Sequence, residues 1–197
     1  MMPALRSYAF PHEVLTEGRL ADALDKERVG TIRAVVEGRA RSGSAGISFG
    51  YQAPWADPAP EYRESVDLLL SQAVLEHVDD LPSTYEALAR WVRPGGVMSH
   101  QIDFRSHGMS DKWDGHRRYG DRRWRVARGR RPYLLNRQPL SAHLELLQST
   151  GFIVVEQDVA SMPSSYRQNE LARRFRALSP ADMTAAAAYL LSVRSAA

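Results

Sequence analysis

The chain contains no cysteine. Disulfides, thiolate nucleophiles and cysteine-ligated zinc or iron–sulfur centres are therefore excluded, although this absence does not by itself fix the compartment. Long hydrophobic runs are missing too. No apolar stretch approaches the roughly 18 residues needed to cross a bilayer, and the opening MMPALRSYAFPHEV lacks the continuous apolar segment of a secretory signal. The expectation is a soluble, cytoplasmic protein with no membrane partner. Internal repeats are absent as well.

What is present is enough for one ordinary core: 197 residues, 44% of them apolar. A single domain over 1–197 is expected, with a helical or linker lead-in (1–46), a sheet core (47–160) and a C-terminal helical segment (161–197). The formal charge is only +3, but its distribution is uneven. Between Arg105 and Arg137 stand eleven Lys or Arg against three Asp, 11 − 3 = +8, so the remainder is net acidic.

Residues 18–39 place Leu20, Leu24, Val29, Ile32 and Val35 among charges, which predicts one or two short amphipathic helices interrupted at Gly30. RARSGSAG (39–46) reads as a loop, and ISFGY (47–51) as a strand followed by an extended loop. The continuous apolar run at the start of VDLLLSQAVL (66–75) predicts a strand buried on both faces, as parallel sheets require. Leu81, Tyr85, Leu88, Ala89 and Val92 recur at helical spacing, with capping candidates from Asp79 to Ser83 and a stop at Arg93-Pro94-Gly95-Gly96. VMSHQIDF then supplies a second strand, completing a parallel strand-helix-strand crossover. Residues 105–138 lack a period and predict a long basic loop or lid. Order returns with a helix capped by Ser141, a strand from Phe152 to Val155 and a last helix near 180–194 that includes four consecutive alanines.

VDLLLSQAVLEHVDDLPSTYEALARWVRPGGVMSHQIDF resembles the second half of class I, Rossmann-like S-adenosylmethionine-dependent methyltransferases. LEHV, RPGG and the later SAHLELLQSTGF stand in that family's order. The resemblance implies an α/β fold, S-adenosylmethionine as cofactor and methyl transfer to a small or anionic acceptor. It also implies a Gly-rich loop and an acidic residue after the first two strands, and neither is visible upstream of ISFGY. The one glycine cluster, Gly43, Gly46 and Gly50, precedes a strand instead of following one and reads as a linker. With the family's strand order 3-2-1-4-5-7-6, the sheet is expected to be incomplete, its first two strands missing. Either the chain is the C-terminal portion of a longer protein, or strands rearrange, or a second copy or other partner fills the gap.

Ligands in open α/β sheets bind beyond the carboxyl ends of the strands. Ser71, Gln72, Glu76 and His77 are accordingly expected at the cofactor, with Asp57 near its adenine. For Glu76 and His77 the alternative is helix capping and packing; for Asp57 it is a solvated loop. His100, Asp103 and His107 are the candidates for the acceptor's proton. Trp113, His116, Asn136 and Arg137 are the candidates for acceptor contact. His100, Asp103, His107 and His116 could together ligate a metal, but acceptor contact is the leading reading, solvated or hydrogen-bonding structural roles are the alternative, and no metal is assigned. Arginines interleaved with Trp113, Tyr119, Trp124 and Tyr133 also suit phosphate contact with base stacking. An RNA-modifying methyltransferase and a non-catalytic, methyltransferase-derived binding or scaffold module therefore remain as alternatives.

Overall fold

The computed structural model describes residues 16–38, 43 and 46–196. The chain divides into two compact units, Met1–Ala53 and Pro54–Ala197.

In the first unit, helices α1 (Glu17–Ala23) and α2 (Lys26–Val36) each start at a side chain that accepts a free backbone N–H: Thr16 from Arg19 and Asp25 from Arg28. Asp25 therefore sets the break, and Gly30 lies inside α2, where an interruption was expected. Residues 47–51 form no strand. No strand among the described residues of this unit stands ready to pair with them, and a lone strand leaves its backbone groups unsatisfied. Most of 39–46, expected as a loop, falls outside the described residues.

The second unit is a four-stranded sheet with helices: β1 (Val66–Gln72), α3 (Leu81–Trp91), β2 (Val92–Asp103), α4 (Asp121–Arg128), α5 (Leu140–Ser149), β3 (Phe152–Ser161), α6 (Pro180–Thr184) and β4 (Ala185–Arg194). The strands lie in the order β1-β2-β4-β3, β1 parallel to β2 and β4 antiparallel to both its neighbours. No helix among the described residues is long and apolar enough to cross a membrane.

The β1-α3-β2 crossover follows the sequence pattern closely. Asp80 caps α3 through Ser83, and Leu81, Tyr85 and Leu88 turn inward against Met98 and Ile102 of β2. RPGG does more than stop the helix, because it opens β2. A Cβ on Gly96 would sit 2.9 Å from the carbonyl oxygens of Arg93 and Val66, so only glycine lets β2 pass β1 there.

Three expectations are corrected. The alanine run is β4, not a helix; only Pro180–Thr184 is helical. Alanine favours helices intrinsically, but pairing with β2 on one side and β3 on the other overrides a local preference of a few tenths of a kcal/mol per residue. β1 is not buried on both faces: Leu68 is 53% and Leu70 69% exposed, and the two lie on the same face of the strand. Ser141 does not cap α5. Its own backbone N–H donates to the Asp182 carboxylate at 2.9 Å, so the capping group comes from α6.

The basic stretch 105–138 is likewise partly ordered as helix. It holds a 3-10 turn (Gly115–Arg118) and α4, whose single buried residue is Trp124.

Candidate active site

β1 and β2 run in parallel, so their C-terminal ends lie side by side, Ser71 beside His100 and Gln72 beside Gln101. Just past β1, the backbone turns through Ala73, a left-handed position (φ +51°), and presents Glu76 and His77. Just past β2, Arg105 and His107 fold back onto Asp103.

Asp103 receives Arg105 through Nε and Nη2 at 2.9 and 2.6 Å. Burial raises its pKa, but hydrogen bonds and charge from Arg105 outweigh that, so the carboxyl sits below its usual range. Glu76 behaves oppositely. It is 3% exposed, and burial pushes its pKa up despite the backbone N–H donated by Asp103 at 3.3 Å. His77 and His107 meet edge to face with ring centroids 5.1 Å apart. Two carboxyl groups with opposite shifts and two imidazoles thus gather at the ends of two adjacent strands. Such pairs of divergently tuned groups mark places where protons can be handled.

His100 lies elsewhere. Its ring is fully buried between Ser71 Oγ, 2.7 Å from its Nδ1, and the ring of Tyr85. Burial lowers its pKa to about 4, so it is neutral, and no part of it reaches an acceptor. His143, which sequence reasoning missed, continues this internal cluster through the Tyr85 hydroxyl at 3.0 Å, with its pKa lowered to about 3 by burial and then by His100. The signals were present: His100 alternates with Met98 and Ile102, and His143 shares the helical face of Leu140 and Leu147.

The candidates for acceptor contact prove to be built into the fold. Asn136 donates from Nδ2 to the carbonyls of Leu75 (2.7 Å) and Val78 (3.1 Å), and its backbone N–H donates to Glu76 O, so it holds the turn after β1. Arg137 lies between Trp124 and Phe175, donating to Tyr119 O (2.6 Å) and Asp121 (3.1 Å). Burial and then neighbouring Arg174 lower its pKa to about 10, so it stays charged. His116 is buried beside Arg117 and Arg137 and held near 3, hence neutral. Trp113 donates from Nε1 to Pro163 O beneath the Arg117 guanidinium. Arg117, also missed, is buried on the carbonyls of Met183 and Ala185. Asp57 stands apart, exposed and paired to Arg63 at 2.5 Å.

Two grooves flank the turn 76–79. One, of about 710 Å³, runs along β1 and α3; Trp55, Leu70, Ser71, Val74, His77, Thr84 and Tyr133 are among its walls, and no charged residue is. Its volume lies within the range of small-molecule sites, roughly 300–1,000 Å³. The other, of about 300 Å³, is lined by Arg125, Arg128, Arg137 and Arg174 against Asp79 and Asp121.

Residues 34–99 match the protein family described as "Methyltransferase domain". The sheet order β1-β2-β4-β3 corresponds to the 4-5-7-6 half of that family's order. The fold is that of a class I, Rossmann-like methyltransferase. Among the described residues its sheet lacks the strands that would precede β1. A ubiquinone biosynthesis O-methyltransferase of Sinorhizobium fredii is 37% identical over 60 residues, which are 30% of this chain and 24% of that protein. One from Agrobacterium fabrum is 39% identical over 54 residues, 27% and 22% of the two chains. The chain thus spans about a quarter of the length of the curated relatives it matches. A solved S-adenosylmethionine-dependent methyltransferase of Methanosarcina mazei superposes with a TM-score of 0.49 at 12% identity, covering 84% of this chain and 78% of that one.

The residues present fit the adenosyl part of the cofactor that this fold implies. The uncharged groove along β1 is large enough, and Ser71, His77 and Thr84 give it polar points. Gln72, exposed at the end of β1, is not among its walls.

Proposed function

We propose that the protein takes part in methyl transfer from S-adenosylmethionine to a small anionic acceptor, in the cytoplasm. The observation that carries this reading is the turn 76–79. His77 lines the uncharged groove, Asp79 lines the arginine groove, and Glu76 lies beside Asp103 between them.

In this reading Ser71, His77 and Thr84 border the cofactor, which supplies an electrophilic methyl group when bound. The chain's own contribution is to hold an acceptor against that group from the arginine side, where proximity and orientation do most of the work. Asp103, beside Glu76 at the end of β2, is the group proposed to take a proton from the acceptor. His100 acts only from behind, by fixing Ser71.

The aromatic residues of the basic segment argue for a small acceptor over RNA. Trp124 is buried under Arg137, and Trp113 is engaged by Pro163 and Arg117. Of the four aromatic residues in the segment only Tyr133 is largely exposed, at 72%, whereas a track of stacked bases needs several such faces. The unpaired backbone edge of β1, the end strand of the sheet, is proposed to be met by a further strand, from a second copy or from a preceding segment.

The test is calorimetric titration of the 197-residue chain with S-adenosylmethionine and S-adenosylhomocysteine. Saturable heat with an affinity on the order of micromolar is expected. No heat with protein at about 100 µM, far above such a dissociation constant, would refute cofactor binding by this chain and leave the binding-module alternative.

A further inference from the structure

Glu76, His77 and His107 bring one ligand atom each to within 4.8 Å of one another. They come from two different segments, the turn after β1 and the loop after β2, so sequence adjacency alone does not account for the meeting.

Two of the groups carry buried atoms without hydrogen-bond partners. Glu76 uses one oxygen to accept the Asp103 N–H, while its other oxygen is buried and unpaired. The Nδ1 of His77 is also buried and unpaired. A buried polar atom left unsatisfied is costly, so two of them on residues of one cluster call for a partner that hydrogen bonding within the chain does not provide.

The third group is oriented as a ligand would be. His107 Nδ1 lies 2.9 Å from the Arg105 carbonyl oxygen, an acceptor only, which assigns the ring proton to Nδ1 and leaves Nε2 with its lone pair. A histidine whose second nitrogen donates to a backbone carbonyl is the usual arrangement around protein-bound metals. Asp103 stands 3.8 Å from that Nε2, close enough to complete or support a ligand set. His107 adopts a left-handed backbone (φ +47°), which a non-glycine residue holds only at a cost of order 1–3 kcal/mol.

We propose that Glu76, His77 and His107 bind one divalent cation of the zinc or cobalt type. Two imidazoles and one carboxylate suit these borderline cations better than magnesium or calcium, which favour oxygen ligands. Three protein ligands leave a coordination position open. The cation's role, unlike its binding, rests on the methyl-transfer reading: at this place it would hold an acceptor oxygen beside the reacting centre.

Binding is testable without cofactor or activity. Chelator-treated protein is titrated with Co²⁺, followed by its visible absorption, and with Zn²⁺ by calorimetry. One cation per chain is expected, with a dissociation constant of about 10 µM or tighter. His107→Ala and Glu76→Gln should each weaken binding about tenfold or more while circular dichroism stays unchanged.

The proposal is overturned if no cobalt spectrum or heat develops, or if the folded His107→Ala protein binds like the parent. Titration of the same preparation with S-adenosylhomocysteine scores the cofactor reading independently, since neither measurement requires the other ligand.

Discussion

Lowering the pH from 7.5 to 5 should remove much of the stability of the sheet-bearing unit, through three histidines held neutral inside it. His100, His116 and His143 have pKa values lowered to about 4, 3 and 3 by burial, against 6.5 for the unconstrained side chain. The folded state therefore binds fewer protons than the unfolded state between those values. Stability is fully present above 6.5, falls as the pH drops through that value, and levels off only near 4 for His100 and 3 for the other two. At pH 5 each histidine is 1.5 units below its unfolded pKa and still above its folded one. With 1.36 kcal/mol per unit, each costs about 2 kcal/mol and the three together about 6. That is comparable to the whole stability of an ordinary domain, 5–15 kcal/mol. Glu76 opposes the trend, since a carboxyl with a raised pKa gains relative stability on protonation. Asp103 and Asp121, whose values are lowered, contribute only at more acid pH. Urea unfolding followed by tryptophan fluorescence at pH 7.5, 6 and 5 reads the effect. His143→Phe should reduce the pH dependence by about a third, the share of one histidine in three. A free energy of unfolding that stays flat between pH 7.5 and 5, or a His143→Phe protein with the parent's full dependence, would refute the reasoning.

Asn136→Ala should destabilise by about 2–3 kcal/mol, because it removes two bonds to the carbonyls of Leu75 and Val78 and one from the Gln138 N–H, each worth about 1 kcal/mol. Asn136→Asp keeps only the acceptor and should lose most of the same energy. Equal urea midpoints for parent and Asn136→Ala would remove Asn136 from its role in holding the turn. Gly115→Ala places a Cβ 1.9 Å from Ser110 Oγ and 2.5 Å from its Cβ, and a destabilisation of about 1–3 kcal/mol is expected from overpacking. Ser110→Gly should restore most of it; if the double variant is no more stable than Gly115→Ala alone, the clash is not the cause.

How much of this was legible in the sequence depends on whether the deciding interaction was local. The β1-α3-β2 crossover was readable because its apolar periodicity, its cap at Asp80 and its stop at RPGG are all written within forty residues. β4 was not. Four alanines specify a helix locally, and what makes them a strand is pairing with residues 97–103 and 152–161, far away in sequence. The charged segment failed for the same reason. Arg117 and Arg137 look like surface residues until the carbonyls of Met183 and Ala185 and the ring of Trp124 are brought to them by the fold. His100 is the instructive case, because its alternation with Met98 and Ile102 already placed it on the buried face, while its chemistry suggested a role at the surface.

The burial of those arginines also changes what the basic segment can do. Of the eleven Lys and Arg between 105 and 137, Arg105, Arg128 and Arg137 are paired with Asp103, Asp79 and Asp121, and Arg117 is buried on backbone carbonyls. The charge that attracts a partner is therefore smaller than the count suggests. It is also shaped: Arg125, Arg128, Arg137 and Arg174 face one groove, not a stripe. A polyanion gains by neutralising many phosphates along a track, whereas one groove of about 300 Å³ suits a single anionic group. The same segment supplies Asn136, which holds the turn carrying Glu76 and His77. On the proposed methyl-transfer reading, acceptor selection and the geometry at the strand ends rest on one piece of chain, and loosening residues 133–138 should disturb both together.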